Sequence, residues 1–186
     1  MITSPFTMSA TPTSILLNNA LPVFADVDPK TFCLDPASVE KKITSRTKAI
    51  LSVNLFGGCA DYDRLKEIAR THHLKIIEDN AQAAGGMYRE AYAGTIGDIG
   101  IFSLNVHKTI QCGEGGVLVT QDDALAFRAQ LVRNHGEVVV DDLMEQIRKL
   151  KKEKIALLLS EMGLGFAIEL SDRAYVIDKG QIQWSG

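Results

Sequence analysis

The sequence alternates between apolar, strand-like segments and segments with helical periodicity. Ala49–Val53 is an apolar run interrupted only by Ser52, which is typical of a strand covered on both faces. Asp61 then caps a segment whose apolar residues recur at helical spacing, and Lys75–Glu78 and Ile99–Phe102 are the next strand-like runs. This repeated strand-helix-strand order predicts an α/β fold with a mainly parallel sheet and right-handed crossovers.

The first forty residues carry similar signals. Thr11 followed by Pro12 predicts the start of a helix that runs through Leu17, with Thr11 as its cap. The segment 22–27 has strand character, and the segment 38–43 is predicted to be a short helix. Together they extend the alternating pattern to the beginning of the chain.

Composition and charge exclude several classes of protein. The chain has 186 residues, of which 46% are hydrophobic and 23% charged, and its net charge is −3, which fits a soluble globular protein and argues against nucleic-acid binding. The first basic residue is Lys30, so no signal or transit peptide is predicted. The apolar stretch Ile155–Leu170 contains Glu161 and Glu169 and is too short to insert into a membrane.

The cysteines indicate the compartment. Cys33, Cys59 and Cys112 are widely separated and have neither a C-x-x-C pair nor the spacing of metal ligands. No metal site is therefore predicted. An odd number of unpaired cysteines is typical of a reducing setting, so we expect a cytoplasmic protein.

The segment 102–116, FSLNVHKTIQCGEGG, contains the best candidates for chemistry. Lys108 lies in a glycine-rich turn after a strand, where an amine can attack a carbonyl, and Ser103 and Asp79 are placed at the carboxyl ends of predicted strands. A lysine, a carboxylate and a hydroxyl are the groups that pyridoxal 5'-phosphate (PLP) requires. Taken singly, Lys108 could equally be a surface lysine, and Asp79 and Ser103 ordinary strand-end residues.

The order of several motifs gives a more specific indication. They are ITSPFT at 2–7, PVFADVD at 22–28, TKAILSVNLFGG at 47–58, IIEDNAQAAGG at 76–86, GDIGIFSLNVHKTIQCGEGG at 97–116 and RNHGE at 133–137. With these motifs, residues 1–141 resemble part of the DegT-like family of PLP-dependent, fold type I aminotransferases. The resemblance implies the three-layer large domain of that fold and transfer of an amino group, usually from glutamate, to a keto-sugar nucleotide. It also implies a homodimer when the protein is complete.

The same resemblance assigns roles to individual residues. Lys108 corresponds to the lysine that binds PLP covalently and moves protons, and Asp79 to the partner of the pyridine nitrogen. Gln82 matches a position beside the cofactor ring, and Ser103 a phosphate ligand. These assignments make Lys108 and Asp79 the expected catalytic residues.

The sequence also departs from the family pattern. Met8 stands where the family often has an aromatic residue that stacks on the cofactor, and Asn105 stands where it often has histidine. The family's phosphate-binding Ser-Gly-Thr turn and its C-terminal small domain have no counterpart. We therefore expect the activity of this chain to be impaired.

The segment 142–186 has a different character. Leu143, Ile147 and Leu150 predict an amphipathic helix, 155–159 a buried strand and 166–170 a short helix. A hairpin is predicted from 174–177 and 181–184.

This second segment resembles the C-terminal end of ATP-binding subunits of branched-chain amino acid or urea ABC transporters, although the chain has no G-x-x-x-x-G-K-[ST] loop. We predict a junction near Asp141 and Asp142, with a small α/β appendage after it. A non-catalytic fusion remnant and an ATPase-derived interaction module remain alternatives to the aminotransferase.

Overall fold

A computed structural model describes residues 1–133, 147–154, 172–173, 175–178 and 181–185. The chain divides into two compact units, Met1–Ala129 and Gln130–Gly186. In chain order the elements are β1 (Ile2–Thr3), α1 (Ala10–Leu17), β2 (Val23–Phe24), α2 (Pro36–Lys41), β3 (Ala49–Val53), α3 (Tyr62–His72), β4 (Lys75–Asp79), β5 (Met87–Tyr88), β6 (Ala91–Tyr92), β7 (Ile99–Ser103), β8 (Gly116–Val119), α4 (Asp123–Arg133), β9 (Tyr175–Asp178) and β10 (Gln181–Ser185).

A six-stranded sheet organises the first unit. Its strand order is β2-β1-β3-β4-β7-β8, in which the first five strands are parallel and β8 runs antiparallel to β7. The predicted α/β fold with a mainly parallel sheet is thereby confirmed. Because parallel strands end at the same edge, the carboxyl ends of β1, β3, β4 and β7 share one edge of the sheet.

Part of the core lies between this sheet and α3, and the same cluster includes Ile15 of α1 and Val39 of α2. Every residue of β3 is buried, as predicted for a strand covered on both faces. Ile2, Ile50 and Ile76 lie side by side on β1, β3 and β4 and belong to one hydrophobic cluster. The buried residues of α3 are Tyr62, Leu65, Ile68 and Ala69. Burial of this apolar stripe is what holds the helix on the sheet.

The start of α3 follows the prediction. The side chain of Asp61 accepts a hydrogen bond of 3.2 Å from the backbone N–H of Arg64, which satisfies one of the free donors of the first turn. The helix ends at His72 and is followed by the C-cap residue His73, whose φ of 53° places it in the left-handed region. That conformation turns the chain back into β4.

Three local predictions for the first forty residues were wrong in detail. Helix α1 begins at Ala10 after Ser9, so Thr11 lies inside the helix and is not its cap. Strand β2 is only two residues long, because the chain leaves the sheet after Phe24 and Val27 forms an isolated antiparallel bridge. Helix α2 begins two residues early, at Pro36.

The early start of α2 has a clear physical reason. The side chain of Asp35 accepts hydrogen bonds from the N–H groups of Ala37 and Ser38, so it is the N-cap. Pro36 then occupies the first turn, where its missing N–H costs nothing.

In the second unit, residues 147–152 are helical and Ile147 is buried. Lys151 pairs with Asp172 at 2.9 Å. Strands β9 and β10 form an antiparallel hairpin with Ile177 opposite Ile182, which confirms the predicted hairpin. Leu143 and the elements predicted at 155–159 and 166–170 lie outside the described residues. Among the helices of the described parts, none is long and apolar enough to cross a membrane.

Candidate active site

The carboxyl ends of β4 and β7 bring the main candidate residues to one edge of the sheet. Asp79 is the last residue of β4 and pairs in register with Ile101 of β7. Ser103 ends β7, two positions beyond Ile101, and Lys108 follows in the connection to β8. The structure therefore places Asp79 and Ser103 at the ends of adjacent parallel strands, as expected from the sequence.

The carboxylate of Asp79 is buried and each of its oxygens accepts a hydrogen bond. The residue is 7% exposed; Oδ1 accepts from the N–H of Ala81 at 3.1 Å, and Oδ2 accepts from the hydroxyl of Thr11 at 2.9 Å. Since the one hydroxyl proton of Thr11 is directed to Asp79, the 2.9 Å contact between the Thr7 and Thr11 hydroxyls requires Thr7 to be the donor. A short chain of hydroxyls thus ends on this carboxylate.

Sequence reasoning missed Thr11 as a contributor to the site. It lies 68 residues from Asp79, and it was assigned to a helix cap because a proline follows it. Its burial inside α1 is the signal that identifies it, because a buried hydroxyl must find a partner.

The loop that carries Lys108 is held at both ends by backbone hydrogen bonds. Leu104 donates to the carbonyl of Gly115 at 2.8 Å and accepts from the N–H of Cys112 at 3.0 Å. Within the loop, the N–H of Lys108 donates to the carbonyl of Asn105 at 2.9 Å, which forms a turn. The lysine side chain is half-buried, and its Nζ has neither a hydrogen bond nor an ion pair with any residue of the described ranges.

Ser103 and Asn105 differ in the hydrogen-bonding capacity they leave free. The Ser103 hydroxyl oxygen accepts from the N–H of Asn105 at 3.3 Å, so its own proton is available to a ligand. In contrast, the Asn105 side chain donates to Glu114 at 2.6 Å and accepts from the N–H of His107 at 3.1 Å. The Asn105 amide therefore orders the loop of Lys108.

The two remaining predicted residues lie on the surface. Met8 is 66% exposed, in the segment between β1 and α1. The side chain of Gln82 is exposed, and its backbone carbonyl accepts a 3.0 Å hydrogen bond from Gly57, whose φ is +83°. Among the described residues, no hydrogen bond joins either side chain to Asp79 or Lys108.

Three further polar residues at this edge were also missed. Asn54, Glu78 and Asn80 are fully or almost fully buried on the face of the sheet opposite Asp79, and they are joined by hydrogen bonds. Adjacent polar residues in the run Glu78-Asp79-Asn80 were the available signal. Among the described residues, no group of three or more His, Cys, Asp or Glu side chains could hold a metal ion.

In this sheet one strand ends in a buried carboxylate, and the next strand leads to a loop that carries a lysine. This arrangement is found in the large domain of PLP-dependent fold type I enzymes, and the chain forms part of that domain. The DegT/DnrJ/EryC1/StrS aminotransferase family model matches residues 1–175. The chain belongs to this family.

Two curated relatives illustrate the family. The L-glutamine:2-deoxy-scyllo-inosose aminotransferase of Micromonospora echinospora is 43% identical over 160 residues, which cover 78% of this chain and 38% of the relative. The GDP-perosamine synthase of Caulobacter vibrioides is 44% identical over 136 residues, or 73% of this chain and 37% of the relative. The chain thus spans between a third and two fifths of the length of these relatives.

A solved structure of a sugar-processing protein also matches this chain. The structure of DesI in the presence of its TDP-sugar product matches with a TM-score of 0.71 and 38% identity, and the match covers 73% of this chain and 34% of DesI.

The family match continues past residue 141. The predicted junction there, with domains 1–141 and 142–186, and the resemblance of 142–186 to an ABC-transporter subunit remain predictions.

Proposed function

We propose that this chain binds pyridoxal phosphate at the carboxyl edge of the sheet and contributes the catalytic core of an aminotransferase that acts on keto-sugars. One observation carries the proposal. Asp79 is buried, accepts two hydrogen bonds and ends β4, which is paired with β7, the strand that leads to Ser103 and Lys108.

The side chains present fit this cofactor. Asp79 is a carboxylate that can hold the proton of a pyridinium nitrogen, and Lys108 has an amine without a partner among the described residues. The Ser103 hydroxyl has a proton to donate to a phosphate oxygen. Met8 and Gln82 are exposed, so both are accessible for contact with the cofactor ring, whereas Asn105 acts by shaping the loop.

Each residue has a defined task in the proposed reaction. When bound, pyridoxal phosphate would supply an aldehyde carbon that takes up the amino group with loss of water, and a ring that accepts electrons. Asp79 keeps the ring nitrogen protonated, and the Nζ of Lys108 removes the proton from Cα of the amino donor and returns one to the carbon that receives the amine. An amino acid becomes a keto acid, and a carbonyl carbon of the sugar becomes an amine-bearing carbon.

The substrates follow from the class of relatives. An inosose, a GDP-sugar and a TDP-sugar are named for three of them, so we propose a keto-sugar or its nucleotide derivative as acceptor. The family's usual glutamate and the L-glutamine named for an inosose aminotransferase are the two candidate donors. Presenting each amino acid to the PLP-loaded chain and measuring loss of the cofactor's visible absorbance distinguishes them.

The central experiment is covalent trapping. The purified chain is mixed with pyridoxal phosphate, its visible spectrum is recorded, the adduct is reduced with borohydride and the labelled lysine is mapped by mass spectrometry. We expect label at Lys108, none in Lys108→Ala, and unchanged labelling in Lys66→Ala, whose lysine is exposed on α3. In Asp79→Asn we expect a weaker, spectrally altered adduct.

Scattered labelling of many lysines that persists in Lys108→Ala would contradict the proposal. In that case the chain folds without building the cofactor site. The non-catalytic alternative would then be correct.

A further inference from the structure

A buried polar network lies directly behind the Asp79 strand end, on the opposite face of the sheet. It consists of Asn54, Glu78 and Asn80, which are 0%, 0% and 1% exposed, together with Tyr62 of α3, which is also fully buried. Burial of polar groups is costly unless each finds a partner, so such a network must be nearly complete to be tolerated.

Asn54 is the centre of this network. Its backbone N–H donates to the carbonyl of Asp79 at 2.9 Å, and its side-chain Nδ2 donates to Oδ1 of Asn80 at 2.6 Å. Its Oδ1 accepts from the hydroxyl of Tyr62 at 2.9 Å and from the N–H of Ala60 at 3.4 Å. One side chain therefore connects the end of β3 to the residue after Asp79.

The amide of Asn54 has only one consistent orientation. Burial, with the negative charge of Glu78 adding to it, raises the pKa of Tyr62 well above its ordinary value, so the Tyr62 hydroxyl keeps its proton and donates it. The backbone N–H of Ala60 can also only donate. Both donors require Oδ1 on their side, which directs Nδ2 towards Asn80.

Glu78, the residue before Asp79, is held by its own carboxylate. Its Oε1 accepts hydrogen bonds of 2.6 Å from the N–H groups of both Ile96 and Gly97, and its Oε2 accepts one of 2.8 Å from Gly94. Asn80 in turn donates from its backbone N–H to the carbonyl of Ile101 on β7 at 2.8 Å. Both neighbours of Asp79 are thus immobilised on the far face.

We propose that Asn54 is a positioning residue: by holding the Asp79 carbonyl and the Asn80 side chain, it sets the direction in which the Asp79 carboxylate leaves the sheet. This inference rests on the proposed function, because Asp79 is the group that would pair with the cofactor nitrogen. Successive side chains of a strand point to opposite faces, so fixing residues 78 and 80 on one face fixes residue 79 on the other.

The first test needs no cofactor. Because Ala81 donates its N–H to Oδ1 of Asp79, hydrogen exchange at the Ala81 amide reports whether the carboxylate keeps its direction. In Asn54→Ala and Asn54→Asp, which both lack the Nδ2 donor to Asn80, we expect exchange of the Asn80 and Ala81 amides to accelerate at least tenfold. Amides of α3 should keep their protection. Asn80→Ala removes the acceptor of the Asn54 hydrogen bond, together with the 3.4 Å donation from Asn80 Nδ2 to the carbonyl of Glu78, and it serves if the Asn54 variants do not fold.

The matched control is Thr3→Val. Thr3 is fully buried at the end of β1, its hydroxyl has no hydrogen-bond partner within the described part of the chain, and valine has nearly the same shape. We expect its Asn80 and Ala81 amides to exchange as in the unaltered chain. This control separates positioning from a general effect of changing a buried polar residue at this edge.

The second readout is the affinity for pyridoxal phosphate and the visible spectrum of the complex. We expect about tenfold weaker binding and an altered spectrum in folded Asn54→Ala, and neither change in Thr3→Val. The inference would be overturned if the Ala81 amide of folded Asn54→Ala exchanged as in the unaltered chain and the variant bound pyridoxal phosphate with an affinity within twofold of that chain. Should the unaltered chain itself fail to label at Lys108, the proposed function is wrong, and the exchange comparison alone decides whether Asn54 positions Asp79.

Discussion

The hydroxyl of Thr11 donates a 2.9 Å hydrogen bond to Oδ2 of Asp79, and so joins α1 to the end of β4 across 68 residues of sequence. Both side chains are buried. The contact therefore has a double consequence, because it fixes the helix on the sheet and supplies one of the two hydrogen bonds of the carboxylate.

Replacement of Thr11 by valine should weaken both folding and cofactor binding. Valine keeps the shape of threonine but leaves Oδ2 of Asp79 and the hydroxyl of Thr7 without their partner. Loss of a hydrogen bond to a buried charged group costs about 1–3 kcal/mol in the free energy of unfolding. Urea unfolding measures this loss, and fluorescence titration with pyridoxal phosphate should show about tenfold weaker binding.

Two variants control for the Thr11 substitution. Thr11→Ser retains the hydroxyl and should recover most of the affinity, whereas Thr13→Val changes an exposed threonine of the same helix and should have little effect. If Thr11→Val unfolds and binds like the unaltered chain, the hydrogen bond contributes nothing measurable.

Gly94 should not tolerate a side chain. Its φ is +92°, and a Cβ there would overlap the ring of Phe102 and lie 2.8 Å from Nδ2 of Asn80. Its N–H also donates to Glu78, so the backbone cannot move away freely. We expect Gly94→Ala to lower the free energy of unfolding by about 3 kcal/mol or more, the sum of overpacking and left-handed strain.

Gly113 provides the matched comparison for Gly94. Its φ is +90°, but a Cβ there would meet no atom of the described residues within 4 Å. Gly113→Ala should therefore cost only the backbone strain, about 1–2 kcal/mol. Equal losses in the two alanine variants, measured by urea unfolding, would show that packing around Gly94 is looser than the structure indicates.

The parts of the fold that depend on local patterns could be predicted from the sequence. The buried strand at Ala49–Val53, the capped helix after Asp61 and the hairpin of β9 and β10 are all recovered, since burial, capping and turns have signals within a few residues. The early start of α2 at Pro36 was missed because two nearby polar residues, Asp35 and Ser38, could each cap a helix.

The site could be predicted only in part, for a physical reason. Asp79, Ser103 and Lys108 stand at strand ends or in the adjoining loop, where the sequence pattern and the family resemblance both apply. Thr11 and Asn54 act through contacts with residues 68 and 26 positions away, and a single sequence does not show which distant partner a buried polar group will find.

The contribution of Asp98 to stability should disappear in acid. Burial alone would raise the pKa of Asp98, but the hydrogen bond from the Lys75 ammonium and that from the N–H of Ile76 outweigh it and lower the pKa below its usual value. A carboxylate whose pKa is lower in the folded chain than in the unfolded chain stabilises the fold fully at pH values above its unfolded-state pKa of about 3.9. This stabilisation is lost as the pH falls through the pKa of the folded state.

Asp98→Asn tests this pH dependence. At pH 7 we expect the variant to be less stable than the unaltered chain by about 1 kcal/mol, because the 2.8 Å hydrogen bond to Ile76 is weakened. The difference should shrink below about pH 4, which urea unfolding at a series of pH values measures. Glu40→Gln, at an exposed position of α2, should show little difference at any pH. A constant difference down to pH 2 would mean that the charge of Asp98 contributes nothing.

The three cysteines should differ sharply in reactivity. Burial raises the pKa of Cys59 to about 11, with Cys33 and Glu78 adding to the effect, and burial likewise raises the pKa of Cys33. At pH 8 only about one Cys59 thiol in a thousand is then a thiolate, the form that reacts. Cys112 is exposed and lies in the loop of Lys108. Iodoacetamide at pH 8 should therefore modify Cys112 first, as mapped by mass spectrometry.

The pH dependence of alkylation separates thiol ionisation from access. Between pH 8 and pH 10 the labelling rate of Cys59 should rise about tenfold per pH unit, since the thiolate fraction rises by that factor below the pKa. Cys112→Ser should leave little labelling of the native chain at pH 8, while the unfolded variant should label at both remaining cysteines. If Cys59 were labelled as fast as Cys112 in the native chain at pH 8, Cys59 would be neither shielded from the reagent nor kept as a thiol. The packing between β3 and α3 would then open in solution.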